Sequence, residues 1–268
     1  MFSSFRSRNR VSKTVRPIKR SVGERSKLKM QQKLDSPMAG STMVSSIWSI
    51  VVGPDLRLFA AYEHALLKSP YFAKRLRDQF YETSSKRLKL PDMLPEVFAC
   101  VLEYLYTDDY YPRLCKSKRH HSWELEDAQD TRNSGGRGRV PSTIYHPEVD
   151  GNYLLTDTAV YCAAEKLGLE ELKRLALLKQ GLRSRALDDI LIRSARYAYA
   201  NTLDTDRRLR PFFIQMIIQD RTRFIRSPTM QMEMGLGGSK LFFDLFVALC
   251  LHTDEFVERT NKSSPRTI

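Results

Sequence analysis

Residues 46–62 restrict the fold more than any other stretch of this chain. "SIWSIVVG" is followed by Gly53-Pro54-Asp55 and then by "LRLFAAY". The β-branched run Ile50-Val51-Val52 suits a half-buried strand and Gly-Pro-Asp is turn chemistry, so the block reads as strand, turn, strand. Leu56, Leu58, Ala60 and Tyr62 alternate with Arg57, Phe59 and Ala61, giving two faces of which neither is fully polar. A third strand arrives only at "RLKLP", where Leu88 and Leu90 share one face and Arg87 and Lys89 the other.

Helices fill the gaps. "EHALLKS" is short and is cut off by Pro70. "YFAKRLRDQF" places Phe72, Leu76 and Phe80 at i, i+4 and i+8, with Arg75, Arg77 and Asp78 turned away. After Pro95, which suits a first helical turn, "EVFACVLEYLY" repeats Phe98, Val101, Leu102 and Leu105 as a core stripe and ends at Thr107-Asp108-Asp109. Further on, "TDTAVYCAAEKLG" and "LEELKRLALLKQ" resume the helical period. Asp157 is a candidate cap for the first of them. In the second, Leu169, Leu172, Leu175 and Ala176 form a stripe that Leu178-Lys179 continues into a charged flank. In the last third Leu187, Ile190, Leu191 and Ala195 share a face, as do Phe213, Met216, Ile217 and Phe224, and then Phe242, Leu245, Phe246 and Leu249.

Charge matters by its location. The chain carries 44 Lys/Arg against 31 Asp/Glu, a formal +13. Residues 1–46 hold 11 against 2, leaving 33 against 29 for everything after them, so the basicity belongs to a tail. Few large apolar side chains and high charge make residues 1–45 read as disordered. Such a tail is open to nuclear import, to mitochondrial import or to loose contact with polyanions, beside the plain reading of a solvated segment. Without interleaved aromatics it supports only weak, non-specific nucleic-acid binding. Residues 111–152, with Gly-Gly, Pro and mixed charge, show no period and read as an exposed flexible insertion.

No apolar run reaches the roughly 18 residues that span a bilayer, and Cys100, Cys115, Cys162 and Cys250 show no repeated spacing. The expectation is a soluble intracellular protein in a reducing compartment. No catalytic constellation emerges. Cys115 with His120 and His121 falls short of the four well-spaced ligands that zinc takes. "GLGGSK" (235–240) lacks phosphate-loop spacing and reads as a helix-joining loop. Cys162 lies on an apolar helix face, and His64 reads as a core histidine. No metal, cofactor or catalytic residue is expected.

The order of the elements and three of their blocks resemble the BTB/POZ domain. "VVGPDLRLF…HALLKSPYF" is similar to that family's strand hairpin, His-containing helix and Ser-x-x-Phe. "FACVLEYLYTDDY" resembles its third helix, and "AVYCAAEKLGLEELKRLAL" its closing helix pair. The form with a long polar insertion before that pair is similar to BTB proteins of filamentous fungi. The resemblance spans about residues 46–110 and 153–180. It implies an α+β fold, a small three-stranded sheet with clustered helices followed by an all-helical C-terminal region. The boundaries expected are a basic tail at 1–45, the BTB/POZ domain at 46–180 with its insertion at 111–152, helices at 181–258 and a tail at 259–268.

The function implied is non-enzymatic protein–protein interaction, with a second copy of the chain and a cullin scaffold as candidate partners and no membrane. Phe80-Tyr81-Glu82 resembles the hydrophobic-x-Glu motif by which many BTB domains contact a cullin in ubiquitin ligases. Phe80 is also in phase with Leu76, which leaves it a core reading; Glu82 cannot share that face. BTB domains that swap elements in a dimer carry an apolar helix ahead of the hairpin, and "SPMAGSTMVSS" (36–46) offers none. The resemblance favours nucleus or cytosol, while the tail composition leaves mitochondrial import open.

Overall fold

A computed structural model describes residues 45–82, 86–116, 122–126, 143–146, 152–182 and 186–263. Strands β1 (Ile47–Val52) and β2 (Arg57–Tyr62) form the expected antiparallel hairpin, with Val51 opposite Leu58 and Ile47 opposite Tyr62. Gly53 closes it at φ 75°, its N–H bonded to Leu90 C=O. A Cβ on Gly53 would lie 3.0 Å from Pro95 Cδ, so only glycine fits both the angle and the space.

Helices α1 (Glu63–Leu66) and α2 (Pro70–Glu82) lead to β3 (Arg87–Leu90), which lies parallel to β1 on its other side; the sheet order is β2-β1-β3. On β3 the alternation read from the sequence decides which face is covered, and β1 aligns its own buried residues with it. Trp48, Ile50, Val52, Leu88 and Leu90 are buried. α3 (Pro95–Thr107) starts on Pro95 and buries Val97, Phe98, Val101 and Leu105. Phe98 meets Phe59 and Phe72 edge to face, with ring centres 5.0 and 6.4 Å apart.

Within residues 111–152, read from the sequence as an exposed flexible insertion, the described parts form short strands. They include β4 (Leu114–Lys116) paired with β5 (Trp123–Leu125), and β6 (Thr143–His146) paired with β7 (Asn152–Leu155). Leu125, Ile144 and Leu154 are buried. Strands of three or four residues are too short to register as alternation, and each is held by a cross-strand partner six to twelve positions away.

α4 (Thr156–Leu167) is the central helix and α5 (Glu170–Gly181) its neighbour. Small residues at Ala159, Cys162, Ala163 and Ala164 let α4 be buried on nearly every side. Asp157 does not cap it: the carboxylate is buried and accepts a 2.6 Å bond from Tyr110 Oη. Helices α6 (Asp188–Asn201), α7 (Leu209–Gln219), α8 (Arg221–Ile225), α9 (Pro228–Leu236) and α10 (Lys240–Ser263) follow. One continuous apolar core runs from Trp48 in β1 to Leu245 in α10. Two sequence assignments in this part change: Leu187 is exposed because it precedes α6 as its N-cap residue, and Phe246 because it lies off the face on which α10 packs.

Candidate interaction surface

α2 is held at its start by Ser69 and Phe72, the two residues of the Ser-x-x-Phe motif. Ser69 Oγ is buried, donates to Leu167 C=O at 2.7 Å and accepts the Phe72 N–H at 3.4 Å. One hydroxyl thus caps α2 and ties it to the end of α4. Gly168 there has φ 70° and lies against Pro70, while Leu169 N–H reaches back to Ala164 C=O to finish α4. Phe72 and Leu76 are buried and Arg75, Arg77 and Asp78 are exposed, as the period requires.

Phe80, Tyr81 and Glu82 occupy the last turn of α2, but their side chains lie outside the described residues, as do His120 and His121. His64 is exposed instead of buried. It stacks on Tyr62 with ring centres 5.6 Å apart, and Nδ1 is 2.9 Å from Ser45 Oγ. The helix it sits on is one turn long, too short to have a fully covered face.

A groove of about 300 Å³ opens between α2 and β3, lined by Tyr71, Phe72, Arg75, Arg87, Leu88 and Lys89 among others. The Arg75 guanidinium lies 5.5 Å from the Tyr71 ring centre. Arg75, Arg87 and Lys89 are all exposed. The groove has an apolar floor and a basic rim. On the sheet's outer face Ile47, Leu58 and Tyr62 are exposed as well.

α10 carries two apolar stripes. Leu241 and Leu245 face the core, with Phe242 and Leu249 packed beside them. Phe243, Phe246, Val247, Leu251 and Val257 are 40–66% exposed. Sequence reading merged Phe246 into the inner stripe because both stripes share the same period. α9 and α10 are bent by 107° at their junction, and among the described residues no single helix is long and apolar enough to cross a membrane.

A second groove, about 580 Å³, runs between α7 and α10 beside a polar cluster whose members satisfy one another. Arg210 is buried and donates to Thr202 Oγ1, Asp204 Oδ1 and the carbonyls of Tyr199 and Thr202. Burial works against the Asp206 charge. The Tyr161 hydroxyl and the backbone N–H groups of Arg208, Leu209 and Arg210 nevertheless hold its carboxyl below the usual range.

One buried group that sequence reading missed is Lys179. Assigned to a charged flank, it is fully buried while Leu178 beside it is 46% exposed. Its ammonium lies 2.5 Å from Asp109 Oδ1 and from Tyr110 C=O, and 3.6 Å from the Tyr110 ring centre. Burial pushes Lys179 below the ordinary lysine range and Asp109 draws it back. The paired acidic signal, Asp108-Asp109 at the end of α3, was in the sequence but 70 positions away.

Chemically reactive groups are subdued in this setting. Burial pushes the Cys162 thiol up to about 12 and, with Asp157 and Glu103 nearby, Cys100 up to about 11. Both are protonated, poor nucleophiles at neutral pH. Among the described residues no three His, Cys, Asp or Glu side chains converge as metal ligands.

Comparison with known proteins places these elements. No curated protein matches the chain. The family model of the BTB/POZ domain matches residues 65–120, from α1 through α2, β3 and α3 to just past β4. Together with the mixed α+β architecture, this match shows that the chain carries a BTB/POZ domain, a protein–protein interaction module.

Proposed function

We propose that the chain is a self-associating interaction module, two copies meeting through the outer stripe of α10. The observation that carries this reading is the run of Phe243, Phe246, Val247 and Leu251, water-exposed at helical spacing along one helix. Apolar patches of this extent on a folded protein mark interaction sites. The stripe offers the same surface to both partners of a twofold pair, as an isologous interface requires. Two such stripes in contact would remove on the order of 1,000 Å² from water, close to the lower bound for a specific interface. This route needs no apolar element ahead of β1.

Light scattering after size exclusion tests it. The chain should elute at about twice 31.1 kDa, and Phe243→Asp with Phe246→Asp should reduce it to one copy without loss of helicity. A monomer at all concentrations, or a dimer that tolerates both aspartates, overturns the proposal.

A second reading, adaptor to a cullin, is favoured by the unbroken run of α2 through Glu82, which keeps Phe80 and Glu82 on one terminal turn. Phe80→Ala and Glu82→Ala are then expected to abolish cullin co-precipitation while leaving the domain folded. Unchanged co-precipitation rejects those roles.

A further inference from the structure

β3 is an edge strand, and its open side faces the groove along α2. Ser49 N–H donates to Lys86 C=O and Gly53 N–H to Leu90 C=O, both at 2.9 Å. Alternate residues of a strand turn their backbone groups the same way. Lys86, Leu88 and Leu90 therefore bond toward β1, while Arg87 and Lys89 direct N–H and C=O away from it. Among the described residues no strand pairs with that side.

We propose that this edge binds an extended segment of a partner protein in which apolar and acidic residues alternate. Added as a strand, such a segment would take up the N–H and C=O groups of Arg87 and Lys89. Its side chains would then point alternately to the two faces of the sheet. Those on the side of Leu88 and Leu90 enter the groove over Tyr71 and Phe72, whose floor is apolar. Those on the other side stand beside Arg87 and Lys89, where opposite charges attract across strands. Arg75, at the groove rim, adds a third cation.

The same charges argue against a second copy as occupant. Pairing two β3 edges would set Arg87 and Lys89 against their own kind, the device by which natural sheets block edge-to-edge aggregation. An acidic strand meets no such repulsion.

The test uses the full chain and a fluorescein-labelled peptide, acetylated Glu-Val-Glu-Val-Glu-Val amide, followed by anisotropy. Saturable binding is expected. It should weaken at least tenfold with Arg87→Glu plus Lys89→Glu, and with a peptide N-methylated at alternate residues, which removes the donors a strand uses. Amide exchange in the segment holding Arg87 and Lys89 should slow on binding. Both side chains are exposed, and thermal melting confirms that the double variant folds; Arg75→Glu gives an independent reversal of charge.

Three results would overturn the proposal. They are no binding up to about 1 mM peptide, affinity unchanged by N-methylation, or affinity unchanged by charge reversal. Displacement of the peptide by oligodeoxythymidylate at equal or lower concentration would instead assign the basic rim to nucleic acid and also overturn it. The α10 variant Phe243→Asp with Phe246→Asp should bind the peptide as the parent does, so this inference and self-association stand or fall separately.

Discussion

Lys179→Met removes a buried ammonium while keeping the length and apolar stem of the side chain. The lysine is fully enclosed, and Asp109 Oδ1 and Tyr110 C=O each lie 2.5 Å from its Nζ. Removing one member of a buried ion pair costs about 3–5 kcal/mol, because the other is left without compensation. Here the lower end applies. Asp109 is partly open to solvent and keeps the N–H groups of Tyr110 and Leu114, at 2.7 and 3.0 Å. We expect a loss of about 3 kcal/mol, a large share of the roughly 5–15 kcal/mol that holds a domain folded. Urea unfolding followed by circular dichroism measures it. Asp109→Asn and the double variant complete a cycle whose coupling should be about 2 kcal/mol, because the pair acts as a unit. A cost below about 1 kcal/mol for Lys179→Met, or additive single variants, would refute the argument that burial and pairing make this lysine structural.

The other predictions concern a cap and a turn. Asp206→Ala removes the acceptor for three N–H groups at the start of α7 and for the Tyr161 hydroxyl, so it should cost about 1–2 kcal/mol by chemical denaturation. Because the folded Asp206 carboxyl lies below its ordinary 3.8, its contribution is complete above that pH and is lost as pH falls through the lower folded value. The gap between parent and variant should therefore close in strong acid; a gap constant with pH refutes the assignment. Gly53→Ala forces a left-handed angle on alanine and drives its Cβ against Pro95, with an expected loss of about 1–3 kcal/mol in thermal melts. Gly235→Ala, at the end of α9 with nothing within 4 Å of the added Cβ, should leave the melt unchanged or raise it; equal losses at both positions would refute the steric account.

Periodicity reaches as far as a residue's own element. Leu88, Leu90, Phe72, Phe98 and Val101 are buried where alternation and the helical stripe put them, since each fills a face its own element defines. It fails where the deciding partner is remote. Lys179 looks like solvent-facing charge from within α5, and only the fold shows that Asp109 and Tyr110 arrive at its head. On α10 two stripes share one period, so sequence counts apolar residues correctly but cannot divide them between core and surface. The strands of 111–152 escape for a related reason, being defined by cross-strand pairing more than by local pattern. At the candidate site the basic character of Arg87 and Lys89 was legible, whereas the open side of β3 follows only from its pairing with β1.

Two of the buried cations, Lys179 and Arg210, share a position as well as a chemistry. Lys179 grips the chain where it leaves α3, at Asp109 and Tyr110; Arg210 grips it where it leaves α6, through the carbonyls of Tyr199 and Thr202. The last carbonyls of a helix have no intrahelical donor; Arg210 serves that of Tyr199 in α6, and Lys179 serves the Tyr110 carbonyl three residues past the end of α3. A long cationic side chain from a neighbouring helix meets that need and carries charge of the sign the helix C-terminus favours. It also ties the direction of the exit to the placement of the donor helix, α5 in one case and α7 in the other. Apolar packing alone would hold these helices together with less discrimination between angles. Direction matters at both exits, because one leads to β4 and the other to α7, whose first turn is in turn capped by Asp206. Lys179 and Arg210 are therefore placed where the chain changes course, and they specify the course it takes.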